Sequence, residues 1–251
     1  STGTEIRSLS QLIVQDVEGP AGGQTTFSGE GEIRIEDQFA TGGAVYFNGP
    51  GLNTFAGGVN TNGLGNWIVN RSVTLDGPST LTVNASGAAF GELINIGSLS
   101  LFGSNASIQS LPFANMGTMA AGGYTIHGSL AAPFVQAGTL SVPSFFTLRG
   151  YSGHHGTTTT SGGGRLILDS GLHEFQPGND YSGADIVLKR ALTEPSETSV
   201  LGPTSFRYVE LQNPATINAS SDLSIGTVIG TGLNVSGTGT VRSTTNAELL
   251  F

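Results

Sequence analysis

The chain has 251 residues, of which 39 are glycine and 55 serine or threonine, with only 11% charged and no cysteine at all. A net charge of −9, with Lys189 the sole lysine, leaves no basic face to displace counterions from phosphates, so nucleic acid and anionic membrane surfaces are not expected partners. No apolar run approaches the roughly 20 residues that span a bilayer, and without cysteine there is no disulfide, thiolate metal site or thiol nucleophile.

In chain order, Ile6, Leu9, Leu12, Ile13 and Val17 fit an amphipathic helix, while Gln11 to Val17 fit a strand about as well. Either form makes residues 1–20 the candidate N-terminal cap, ended by Gly19-Pro20. A glycine turn feeding a strand follows at Ser28-Gly29-Glu30-Gly31-Glu32-Ile33-Arg34-Ile35. Its pattern returns at Ser161-Gly162-Gly163-Gly164-Arg165-Leu166 and Ser236-Gly237-Thr238-Gly239-Thr240-Val241. No helical period follows these glycines and the lysine of a phosphate loop is absent, so they read as turns. Ala44 to Phe47, Trp67 to Val69, Val73 to Leu75 and Leu81 to Val83 continue the short strands. Leu81-Thr82-Val83 stands 18 residues before Leu99-Ser100-Leu101.

The strongest signal lies between Leu93 and Val142, where one phrase occurs three times. Leu93-Ile94-Asn95-Ile96-Gly97-Ser98-Leu99, Phe113-Ala114-Asn115-Met116-Gly117-Thr118-Met119 and Phe134-Val135-Gln136-Ala137-Gly138-Thr139-Leu140 carry glycines 20 and 21 residues apart. Strand-type alternation at that period predicts an all-β, single-stranded parallel β-solenoid of about 20 residues per coil. Leu99, Met119 and Leu140 should then stack inside, as should Leu93, Phe113 and Phe134. Asn95, Asn115 and Gln136 should form an amide ladder at a turn, with Gly97, Gly117 and Gly138 supplying the corner through glycine's unusual φ range.

The rhythm breaks between Ser144 and Ser161, around Phe145-Phe146, His154-His155 and Thr157 to Thr160, which predicts a loop excursion over 144–161. The pitch resumes at Leu166-Ile167-Leu168 and Ile186-Val187-Leu188. Ala191 to Pro203, with prolines at 195 and 203, is the second expected excursion. Val209 to Leu211, Leu223 to Ile225, Thr227 to Ile229, Leu233 to Val235 and Val241 read as the final coils. With no linker composition anywhere, residues 1–251 read as one domain, and the apolar ending Leu249-Leu250-Phe251 suggests a processed or excised segment.

Phrases such as Phe113-Ala114-Asn115-Met116-Gly117-Thr118-Met119 and Val235-Ser236-Gly237-Thr238-Gly239-Thr240-Val241 resemble the repeats of right-handed parallel β-helix surface proteins, the autotransporter passengers and filamentous-haemagglutinin-like adhesins. The likeness is clearest from Leu81 to Val142 and from Leu223 to Val241. It implies an extracellular or cell-surface location and a structural or adhesive role. The expected partners are the chain itself, end to end or side by side, surface glycans or host proteins.

The same fold family includes pectin-lyase-like enzymes, which makes a polysaccharide lyase or glycoside hydrolase the alternative. Its cleft would lie near residues 149–190, where Asp169, Asp185, His173 and Lys189 are the candidate catalytic residues. Asp169 and Asp185 are 16 apart, off the 20-residue pitch, and no lyase or hydrolase signature surrounds them. His154-His155 and His173 match no familiar zinc spacing and read as exposed loop histidines, and the nonapeptide calcium repeat is missing, so neither metal nor cofactor is expected. Thr157 to Thr160 reads as a solvated loop, and an ice-binding array would need Thr-x-Thr at the coil pitch, whereas Thr80-Leu81-Thr82 and Thr238-Gly239-Thr240 are isolated. Sequons begin at Asn70, Asn84, Asn105, Asn218 and Asn234, close to the number that chance gives in so Ser/Thr-rich a chain.

Overall fold

Runs in which apolar residues alternate with hydroxyls and amides can bury one edge of a strand but not one face of a helix. In the computed structural model, which describes residues 3–19, 23–61, 67–69, 72–76, 80–82, 93–96, 98–109, 112–189, 196–212, 215–230 and 232–243, the described elements are all strands and every pairing is parallel. Among the described residues one sheet has twelve strands, in which each strand pairs with that of the next coil, from Gly3–Ser8 through Phe113–Asn115 and Phe134–Gln136 to Leu233–Ser236. This is the signature of a winding chain, and the protein is a parallel β-solenoid.

The second sheet, of seventeen strands among the described residues, covers two faces because its long strands turn a corner. Glu32–Thr41 pairs through residues 32–35 with Leu52–Phe55 and through residues 38–41 with Gly58–Thr61. Thr118–His127 does the same with Thr139–Val142 and Phe145–Arg149. Each coil therefore lays down a strand on a first, a second and a third face in turn.

The interior is built of files, one residue per coil, at about 4.8 Å per step. Leu99 pairs with Met119 and Met119 with Leu140, and all three are buried. Leu93, Phe113 and Phe134 pair likewise, and the Phe113 and Phe134 rings meet edge-on at 5.3 Å. Near the N-terminus, Phe27 stacks on Phe47 at 5.2 Å, with Phe39 and Phe55 against them.

Several expectations need correction. Residues 3–18 are two strands of the first coil and not a helix: Ile6, Leu12, Val14 and Val17 pack on the core, whereas Leu9 and Ile13 point outward, a strand alternation shifted by one residue between Val14 and Asp16. The strand over Leu99 is Ser72–Asp76, while Leu81 pairs with Ile108 on the third face. The excursion expected over 144–161 stays on the coil, as strands Phe145–Arg149, Ser152–His154 and Thr157–Thr160 in register with their neighbours. Its polar residues are partly internal, which hid the pattern. Of the second excursion, 191–203, residues 191–195 lie outside the described residues and Ser196–Val200 is a first-face strand. Val83, Gly97 and residues 249–251 also lie outside them.

Candidate functional site

The sequence-predicted site residues fall at three separate places. At the far edge of the third face, His127, Arg149, Asp169 and Lys189 stand in register on successive coils. The Asp169 carboxylate is almost fully enclosed. It accepts from Arg149 through Nη2 at 2.6 Å and Nε at 3.2 Å, and from Ser170 Oγ at 3.0 Å. Burial pushes this carboxyl up, but the Arg149 and Ser170 hydrogen bonds and the charges of Arg149 and Lys189 outweigh it and hold it below its ordinary range. Burial and the Arg149 charge lower His127 against the opposing pull of Asp169.

Asp185 begins the third-face strand of the following coil, at the opposite edge. It accepts from Arg165 Nη1 at 2.8 Å and from Arg207 Nε at 2.6 Å, and so clamps three coils together. Because Asp169 is in register with Lys189, four positions along the strand from Asp185, the backbone positions of the two aspartates are about 13 Å apart along the strand direction at roughly 3.3 Å per residue. Paired-carboxylate glycoside chemistry works at separations from about 5 to 9.5 Å. The structure does not bring this pair together.

The third place is inside the solenoid. His154 and His173 are fully buried, which corrects their reading as exposed loop residues; His155, pointing the other way, is exposed. Ser152 Oγ lies 2.8 Å from His154 Nε2 and 2.7 Å from His173 Nδ1, and His154 Nδ1 lies 2.5 Å from the Tyr181 hydroxyl. Phe175 stacks on the His154 ring at 4.5 Å. Burial drives His173 down to about 4 against the opposing charge of Asp169, drives His154 well below its ordinary value with help from His173 and His155, and raises Tyr181. A serine between two imidazoles is the arrangement that activates a nucleophile. Here the hydroxyl and both rings are sealed in the core, where no substrate on the outer surface meets them.

The amides also stand inside. Asn95 Nδ2 donates to Asn115 Oδ1 at 2.6 Å and Asn115 Nδ2 to Gln136 Oε1 at 2.9 Å, with all three residues fully buried. His154 is the next rung of this file, paired with Gln136. Gly138, behind the ladder, is not among the residues of positive φ; it is required because the coil below passes too close for a side chain.

Sequence reasoning missed the outer surface of the second face. Ser98, Thr118, Thr139 and Thr157 form one in-register file and Ser100, Ala120, Ser141 and Thr159 the next, eight positions without a charge. The signal was the small hydroxyl after each corner glycine, as in Gly117-Thr118, Gly138-Thr139 and Gly156-Thr157.

The ion pairs differ in expected worth. Asp185→Ala removes pairs whose arginines reach solvent and should cost about 1 kcal/mol in urea unfolding. Asp169→Ala should cost roughly 2 kcal/mol, below the 3–5 of a fully buried pair because Arg149 is 45% exposed and can rehydrate. In a search against known proteins, no family model, no curated protein and no solved structure matches this chain.

Proposed function

We propose that the chain is a non-enzymatic structural or adhesive β-solenoid segment of a secreted or surface-exposed protein, a building block of a stalk or fibre that works through its outer faces. The observation that carries this reading is how the candidate catalytic groups are used. Asp169 and Asp185 tie successive coils together through arginines, and His173 is enclosed in the core. Parallel ladders along the whole described length make a stiff rod, and stiffness is what a spacer or fibre needs. The uncharged hydroxyl files of the second face suit an uncharged partner, either a glycan or another copy of the chain.

A polysaccharide digestion panel that includes uronate polymers, run beside electron microscopy of the concentrated chain, tests the assignment. The expected result is no cleavage by wild type or Asp185→Ala, together with filaments or lateral assemblies. Turnover that Asp185→Ala or Asp169→Asn abolishes would establish the pectin-lyase-like alternative instead.

A further inference from the structure

Where the other described coils fill the first-face interior with Phe, Val, Ile, Leu, Ala, Thr, Asn or Gln, the coils of residues 152–169 and 171–189 place Ser152, His154 and His173 there, with Phe175 beside them. The hydrogen bonds form a relay. If the Tyr181 hydroxyl donates to His154 Nδ1, then His154 Nε2–H donates to Ser152 Oγ, whose own hydrogen goes to His173 Nδ1. The reverse order also works, and each order satisfies all three contacts with both rings neutral. In both orders His173 Nε2 is buried without a hydrogen-bond partner.

Protonated His173 carries both N–H groups, of which Nε2–H has no acceptor and only Nδ1–H faces Ser152, and a proton added to His154 is a net charge with no exposed surface. The surrounding groups offer little compensation. Tyr181 from the second face is neutral, and His155 on the outer side of the same strand can only repel. Glu174 is turned outward and held by the Tyr151 hydroxyl, and Asp180 points outward to Ser182. Asp169 is the one carboxylate whose charge favours protonated His173, and it is already committed to Arg149 and Ser170.

We propose that the Ser152–His154–His173–Tyr181 relay is an acid-sensitive opening point, at which the coils spanning residues 152–189 unwind locally in mildly acidic medium while the amide-laddered coils before them stay wound. A histidine whose value is lowered in the folded chain contributes stability that is complete above its ordinary 6.5 and is lost as pH falls from there towards the folded value, about 4 for His173. Asp169, held below its ordinary 3.8, loses its contribution only at lower pH, so the two windows are separate.

Hydrogen exchange of the whole chain near pH 7.5 and near pH 5, corrected for intrinsic rates and read by mass spectrometry, tests this. Protection of strands Ser152–His154, Gly171–Phe175 and Asp180–Gly183 should fall about thirty-fold for a single imidazole titrating in the open state, with strands Phe113–Asn115 and Phe134–Gln136 little changed. The double variant His154→Phe/His173→Leu, where it folds, should lose this pH dependence. Unchanged protection at pH 5, an even loss along the whole solenoid, or an undiminished effect in the folded double variant overturns the proposal.

Discussion

Gly138→Ala should be severely damaging for a single added methyl, costing on the order of 4 kcal/mol in urea unfolding or preventing winding altogether. A Cβ at this position would lie 2.1 Å from the Gly117 carbonyl oxygen and 2.6 Å from the Met116 carbonyl carbon, and both are backbone atoms that cannot swing aside. Gly156 repeats the problem one coil on, with its Cβ 2.1 Å from the Gly138 oxygen. The corner after the first face is thus a column in which the backbones of successive coils touch. Gly183→Ala is the matched control. Its Cβ would meet the Thr159 side chain, with the methyl at 3.3 Å and no backbone atom among its near neighbours, and its cost should be about 0.5 kcal/mol. Equal midpoints for the two variants would contradict the close stacking.

Asn115→Leu should cost roughly 3 kcal/mol although leucine is apolar, similar in size and placed in a core. Asn115 is the middle rung of the amide ladder. It accepts from Asn95 and donates both to Gln136 Oε1 and to the Thr139 carbonyl at 3.0 Å. Removing it leaves acceptors on the following coil buried and unpaired, a penalty that the gain in apolar area does not offset. Urea unfolding with hydrogen exchange of strands Phe113–Asn115 and Phe134–Gln136 measures it; wild-type stability would mean that the ladder bonds are not made.

The solenoid was legible because its three clearest coils carry the same phrase, and the register of Leu99, Met119 and Leu140 is the register of that phrase. The amide ladder was legible for the same reason, although its burial was not. A turn position and the last interior position of the first face look alike in sequence. The template failed at Ser152-Gly153-His154-His155-Gly156-Thr157, which fits it only if serine is allowed for the leading apolar residue and histidine for the amide. Polar side chains inside the coil erased the alternation, and a rung was mistaken for a loop. Asp169 and Asp185 drew attention as carboxylates close in sequence. Whether they meet depends on where each strand begins on its face, and sequence spacing does not carry that information.

Residues about twenty positions apart lie over one another on neighbouring parallel strands. The chain's lack of cysteine gives a clean background for testing this stacking with paired substitutions on the outer second face. Thr118 is in register with Thr139, and Thr139 with Thr157, at a strand spacing of about 4.8 Å, within the range that a disulfide bridges. Mild oxidation of Thr118→Cys/Thr139→Cys and of Thr139→Cys/Thr157→Cys should close an intramolecular disulfide in nearly every folded molecule. Folded variants in which neither pair closes would contradict the winding, and with it the rod-like role assigned to the chain.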